Sequence, residues 1–291
     1  MMDKDLTNLI LRAEALMKTN WLHAVQLLQQ AVVDHPGDPR PLVTLGDFYQ
    51  RRQLPEKGIK CYQTALKLMP EDDHLKLVIG NSYFTIGEYQ KAIVYYDQIP
   101  HPSPDVLYNK ALALAYLGKH EESIEIMRQL LDHIDNNPFI YFLLIEQMLR
   151  VDDYQAASEY IARAEKKIGL HKHLLLLKAI CQVHYRNWLH AYHAFHTYEK
   201  DGDKMQTEHI LMYAESAEKS GIPERAVDIL QNGVEEHPYS LGLYEELIRL
   251  LIHSKQIAAA KKYLKQAKKY YPVLSPLLKL MQSRLGSVSE D

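Results

Sequence analysis

The sequence predicts an all-α solenoid, a stack of helix pairs without strands, and three observations predict it. Small residues recur at Ala24, Gly58, Ala92, Ser123, Ala157, Ala191, Ala226 and Ala260, at intervals of 34, 34, 31, 34, 34, 35 and 34 residues. Four residues after each stands a bulky apolar side chain (Leu28, Tyr62, Tyr96, Met127, Ile161, Phe195, Leu230, Leu264), which puts both on one helix face. Twelve residues after each comes a breaker or turn former: Pro36, Pro70, Pro104, Asp135, Gly169, Asp203, Pro238 and Pro272. Each unit therefore reads as helix, tight turn, helix, break. Two short helices cannot bury their apolar faces alone, so neighbouring units must stack.

The units fall near residues 5–38, 39–72, 73–103, 104–137, 138–171, 172–205, 207–240 and 241–274, within a single domain expected over 1–285. The first pairs Ala24 with Leu28 and the second Gly58 with Tyr62. In the third, the turn Gly87-Glu88-Tyr89 precedes Ala92, and the unit is three residues short. Its prolines Pro100, Pro102 and Pro104 should end the second helix early and leave a stiff extended corner. The fourth turns at Gly118-Lys119-His120, the fifth at Asp152-Asp153, where Asp is a routine turn former. The sixth carries Ala191 and Phe195, and the seventh turns at Gly221-Ile222-Pro223. The eighth closes at Pro272, after which 275–285 reads as one more amphipathic helix, with Ser275 as N-cap and Pro276 at the first helical position. Residues 286–291 read as a disordered tail.

This pattern resembles the tetratricopeptide repeat. The second unit gives Leu42, Leu45-Gly46, Tyr49, Gly58, Tyr62, Ala65 and Pro70; the third Ile79-Gly80, Tyr83, Ala92 and Tyr96; the eighth Tyr244, Leu251, Ala260, Leu264, Ala267 and Pro272. The resemblance covers residues 5 to 274 and implies a right-handed superhelix whose first helices line a concave groove. It also implies a tight crossing at the eighth motif position, where Arg12, Ile145 and Ile248 depart from a small residue and should hold the paired helices apart.

Composition narrows the function. With 34 Lys+Arg against 37 Asp+Glu the chain has no global charge that favours nucleic acid or an anionic membrane. Its longest apolar stretches, such as Ala111 to Leu117, are too short to span a bilayer. Acids at Asp3 and Asp5 stand where a secretory leader would be basic, and Cys61 and Cys181 lie 120 positions apart; both point to a reducing, cytoplasmic setting. No phosphate loop, His-Glu-x-x-His or nucleophile elbow occurs, so no enzyme and no cofactor are expected. His190, His193 and His196 are spaced to share a helix face, but without cysteine or carboxylate partners they read as a solvated row rather than a metal site. The lysine-rich run from Lys261 to Tyr271 reads as an exposed helix face, and nine carboxylates between Glu208 and Glu246 polarise the last units enough to orient a partner or a second copy.

The groove implied by the resemblance carries the functional expectation. Its third to sixth units offer Leu77, Asn81 and Phe84; Tyr108, Asn109, Leu112 and Tyr116; Phe139 and Phe142; then Leu177, Ile180 and His184. A contiguous apolar surface of this kind marks a binding site. The competing account, burial between neighbouring first helices, would explain about half of these residues. The chaperone-binding clamp of the family places basic residues where this chain has Leu77, Phe139 and Leu143, with only Asn81 and Asn109 kept, so a clamp is not expected. Both amides remain able to bond a peptide backbone. The reading is a non-enzymatic protein-interaction scaffold that takes an apolar peptide or amphipathic helix of unidentified origin. The alternatives are a self-assembling homo-oligomer module, or a regulatory subunit holding a small ligand or metal around His184 and His190.

Overall fold

The computed structural model describes residues 2–200 and 204–287; the expected breaker Asp203 and positions 288–291 of the expected tail lie outside them. The described residues form helices and no strand. They divide into two compact units, Met1–Val151 and Asp152–Asp291.

The first unit holds α1 (Met2–Leu16), α2 (Trp21–Asp34), α3 (Arg40–Arg51), α4 (Pro55–Leu68), α5 (Asp73–Thr85), α6 (Tyr89–Tyr96), α7 (Pro104–Tyr116), α8 (His120–His133) and α9 (Pro138–Arg150). The second holds α10 (Tyr154–Ile168), α11 (Lys172–His184), α12 (Trp188–Lys200), α13 (Thr207–Lys219), α14 (Pro223–Glu236), α15 (Leu241–His253), α16 (Ile257–Tyr270) and α17 (Pro276–Ser287). The last helix thus runs two residues past its expected boundary at 285.

Helix starts follow from local chemistry. Asp72, Asn137 and Ser275 accept the backbone N–H of Leu75 (2.8 Å), Phe139 (2.9 Å) and Leu278 (3.2 Å), satisfying donors that a helix start otherwise leaves unpaired. Proline opens α4, α7, α9, α14 and α17, where its missing N–H costs nothing. In the third pair α6 has only eight residues and ends before Pro100, as the proline run predicts.

The turn inside every pair but the first uses one device. The second residue past the first helix takes the left-handed backbone conformation: Gly87, Gly118 and Gly221, and also Gln53, Asp152, Arg186 and Lys255, with φ between 56° and 81°. The next N–H then reaches back to a helix carbonyl, as Lys119 does to Leu114 (2.9 Å) and Gln256 to Leu251 (2.8 Å). A side chain in this conformation is strained, by about 1 kcal/mol. Arg186→Gly is therefore expected to raise stability by about 0.5–1 kcal/mol in chemical denaturation, the strain relief being partly offset by a freer unfolded chain; a lower midpoint would refute this.

The pairs close through matched sizes. Gly46 and Gly80 lie beneath the rings of Tyr62 and Tyr96, so close that a Cβ on Gly80 would stand 2.5 Å from Tyr96 Cε1. Each hydroxyl passes the glycine and donates to the next residue, Tyr62 to Asp47 (2.6 Å) and Tyr96 to Asn81 (2.8 Å). In later pairs the glycine becomes Ala214 or Ile248 and the facing residue Leu230 or Leu264, all buried. Ile248 is accommodated by the loss of the ring opposite it. Arg12 does not enter a crossing at all. The α1–α2 turn has one residue more than the others, which offsets α1, leaving Arg12 exposed and Ala13 buried.

Small clusters form between successive helices of the first unit, such as Ala92, Tyr96, Ile99 and Val106. One long cluster runs through the second unit from Leu176 to Leu285. No helix of the described residues is long and apolar enough to cross a membrane.

Candidate functional site

The expected groove residues divide between the units. On α5, Leu77 and Phe84 pack against the cluster around Tyr96. Between them, Asn81 accepts two bonds on its Oδ1, from the Tyr96 hydroxyl (2.8 Å) and from Asn109 Nδ2 on α7 (3.1 Å). Both amides are half-buried, and the arrangement leaves the Asn81 Nδ2 hydrogens and the Asn109 Oδ1 for a partner.

Seven residues beyond Asn109 on α7, Tyr116 is 60% exposed. Its ring stacks on Tyr89 at 4.7 Å between centroids, and Phe84 sets an edge against both, at 5.7 and 5.2 Å. Leu112 and Tyr108 lie half-buried along the same helix. Burial raises the Tyr108 hydroxyl above its ordinary pKa, and the Glu146 charge adds to the effect. On α9 the two phenylalanines part company: Phe139 is 63% exposed while Phe142, in edge contact with it at 6.4 Å, is only 8% exposed. Phe142 thus belongs to the interior of the stack.

In the second unit Leu177 is 3% exposed and equally interior, while Ile180 packs half-buried against the core. His184 is exposed, but one face of its ring lies flat on Tyr154, 3.5 Å between centroids. Of the histidine row, His196 is taken up by the Tyr213 hydroxyl (3.0 Å) and Glu199 (3.4 Å). No group of three His, Cys, Asp or Glu among the described residues can hold a metal ion. Burial raises the thiol pKa of both cysteines, that of Cys61 to about 11.

A cavity of about 440 Å³ lies elsewhere, between the first helices of the first three pairs. Ile10 and Leu11 of α1, Val43 of α3, Leu75 of α5 and the turn residue Met69 make its apolar wall. Glu14, Arg40, Asp72 and His74 stand at its polar margin. Arg40 is held by Asp38 through bonds of 2.6–3.1 Å and reaches Thr7 Oγ1 at 3.2 Å; the same guanidinium lowers the Asp38 pKa. The repeat pattern did not foresee the α1 wall of this cavity. The signal was the longer α1–α2 turn, which displaces α1 from the motif's register.

Comparison with known proteins bears on this geometry. Two family models described as tetratricopeptide repeat match residues 43–106 and 104–132. Tetratricopeptide repeat protein 21B of Mus musculus is 30% identical over 104 residues, 35% of this chain and 8% of that protein. Superkiller protein 3 of Saccharomyces cerevisiae is 22% identical over 142 residues, 46% of this chain and 10% of that protein. The chain thus matches a tenth or less of the length of these relatives. Among solved structures, a tetratricopeptide repeat protein from Parabacteroides merdae superposes with a TM-score of 0.63 at 16% identity, covering 84% of this chain and 98% of that one. The APC/C hetero-tetramer Cut9–Hcn1 gives 0.59 at 14% identity, covering 95% of this chain and 55% of that one. Likeness at such identity is likeness of fold.

Proposed function

We propose that this chain, which carries tetratricopeptide repeats by the match of family models to residues 43–106 and 104–132, repeats that generally mediate protein–protein interaction, is a non-enzymatic scaffold binding an apolar peptide or amphipathic helix along the first helices of its first unit. The observation that carries the reading is the exposure of Tyr116 and Phe139 on α7 and α9. Large rings left in water are the residues that most often anchor a protein partner.

Phe84, Tyr108 and Leu112 support the rings, and the Asn81–Asn109 pair offers one donor and one acceptor to the partner's backbone. The cavity beside Leu11 and Val43 extends the apolar surface toward α1. Phe142 and Leu177 are not part of this surface, because burial removes them from any partner's reach. The two thiols, kept protonated by burial, suit a cytoplasmic setting.

Tyr116→Ser combined with Phe139→Ser is expected to reduce partner recovery more than about tenfold, the scale of losing two aromatic anchors. The measurement is affinity capture from native cell extract with quantitative mass spectrometry. A double variant of unchanged circular dichroism that recovers the same partners in full would refute the reading.

A further inference from the structure

Charge is unevenly spread over the second unit. Residues 255–284 contain eight Lys or Arg and no Asp or Glu, against a net charge of -3 for the whole chain. On α16 the exposed cations are Lys262, Lys265, Lys268 and Lys269; on α14 the exposed anions are Glu224, Asp228, Glu235 and Glu236. Among the described residues none of these eight makes an ion pair within the chain.

The two helices are the second members of consecutive pairs, and the signs oppose each other at equivalent places. Asp228 corresponds to Lys262 and Glu235 to Lys269, each 34 residues apart. Both helices pack against α15; burial, and after it the Glu235 carboxylate of α14, raise the Tyr263 hydroxyl of α16.

An apolar patch adjoins the same two helix ends. Tyr239 is 77% exposed and Val273 82%. The Tyr239 ring meets Tyr270 edge-on at 4.9 Å, and its carbonyl accepts the Tyr271 hydroxyl at 2.5 Å, so Tyr239 is held in place rather than loose.

We propose that this face pairs with the same face of a second copy of the chain. The two-fold axis runs parallel to the helices and lies between them, so that the acidic α14 of each copy covers the basic α16 of the other. A two-fold interface must be self-complementary. Opposite charges at equal heights on neighbouring parallel helices meet that demand: Asp228 then faces Lys262 of the other copy, and Glu235 faces its Lys269. The same axis brings Tyr239 of each copy onto Val273 of the other, since these two residues are also 34 positions apart. Exposed ion pairs contribute little attraction by themselves, so this apolar patch supplies the burial while the charges select the partner and the register.

The test is sedimentation velocity of the whole chain over a concentration series at low and high salt. The wild type is expected to dimerise, more weakly at high salt. The variant Lys262→Glu/Lys269→Glu and the variant Asp228→Lys/Glu235→Lys should each dimerise at least about tenfold more weakly, because like charges then face each other. Mixed in equal amounts, the two should recover a heterodimer. Circular dichroism checks that both remain helical, and Tyr239→Ser, which alters no charge, should also weaken the wild-type dimer. A wild type that stays monomeric at every concentration overturns the proposal, even if α16 binds a polyanion such as heparin. Charge-reversed variants that dimerise as the wild type does, or that form no heterodimer when mixed, overturn it as well.

Discussion

Gly46→Ala is expected to destabilise the first unit by about 3 kcal/mol, at the upper end of what overpacking costs. The new methyl would lie 2.7 Å from Tyr62 Cζ. The ring has no simple escape, since it is 1% exposed and its hydroxyl is anchored to Asp47 at 2.6 Å. Moving it breaks that bond or separates α3 from α4. The same substitution at Gly80, under Tyr96, should behave alike.

A second substitution separates crowding from intrinsic helix effects. Alanine favours a helix over glycine by about 1 kcal/mol, so the backbone alone would predict stabilisation. Adding Tyr62→Leu to Gly46→Ala recreates the Ala214–Leu230 combination that the seventh pair already uses. Urea denaturation of all four members of the cycle should show the alanine harmful beside tyrosine and nearly neutral beside leucine, a favourable coupling of about 3 kcal/mol. Strictly additive effects would show that ring and glycine are not coupled.

Leu177→Glu is expected to cost about 4 kcal/mol or more at neutral pH and to unfold much of the second unit, whatever partner the protein has. At 3% exposure the carboxylate would enter a site with no water around it, and an isolated buried charge is among the costliest single changes. Burial would raise the carboxyl pKa of the folded state above the ordinary value near about 4.3. The variant's folded state should therefore be favoured below that value and lose stability as pH rises through the raised folded pKa. Relative to wild type, the deficit should widen between about pH 4 and pH 7. Denaturation midpoints measured across that range check the sign. A deficit that stays small and flat with pH would place the side chain in solvent. Phe142→Glu should follow the same course, so neither variant reports cleanly on partner binding; Tyr116 and Phe139 do.

Much of the architecture can be read from local and nearest-neighbour chemistry. The interval of about 34 residues sets the pairs, Pro100 stops α6 after eight residues, and Ser103, Asn137 and Ser275 cap the helices they precede. These features depend on a few consecutive side chains, so they appear in a string of letters as plainly as in space. The left-handed residues were half visible: Gly87, Gly118 and Gly221 announce their conformation, whereas Gln53, Arg186 and Lys255 adopt it because the repeat demands a turn there.

The candidate site was legible as a face but not as a surface. Motif register correctly ranges Asn81 with Phe84 along α5 and Asn109 with Leu112 and Tyr116 along α7. It cannot distinguish Phe139 from Phe142, three residues apart on one helix, although one is exposed and the other sealed. Accessibility depends on the length and tilt of side chains contributed by neighbouring helices, which no single unit encodes. The cavity near α1 makes the same point, because one extra turn residue offsets that helix, and the cavity beside Val43 takes part of its wall from it. Covalent order thus specifies which helices form and in what sequence they stack, since those outcomes need only short-range contacts. Which rings meet water is settled by three-dimensional packing, where a displacement of one residue along a helix axis decides between core and binding surface.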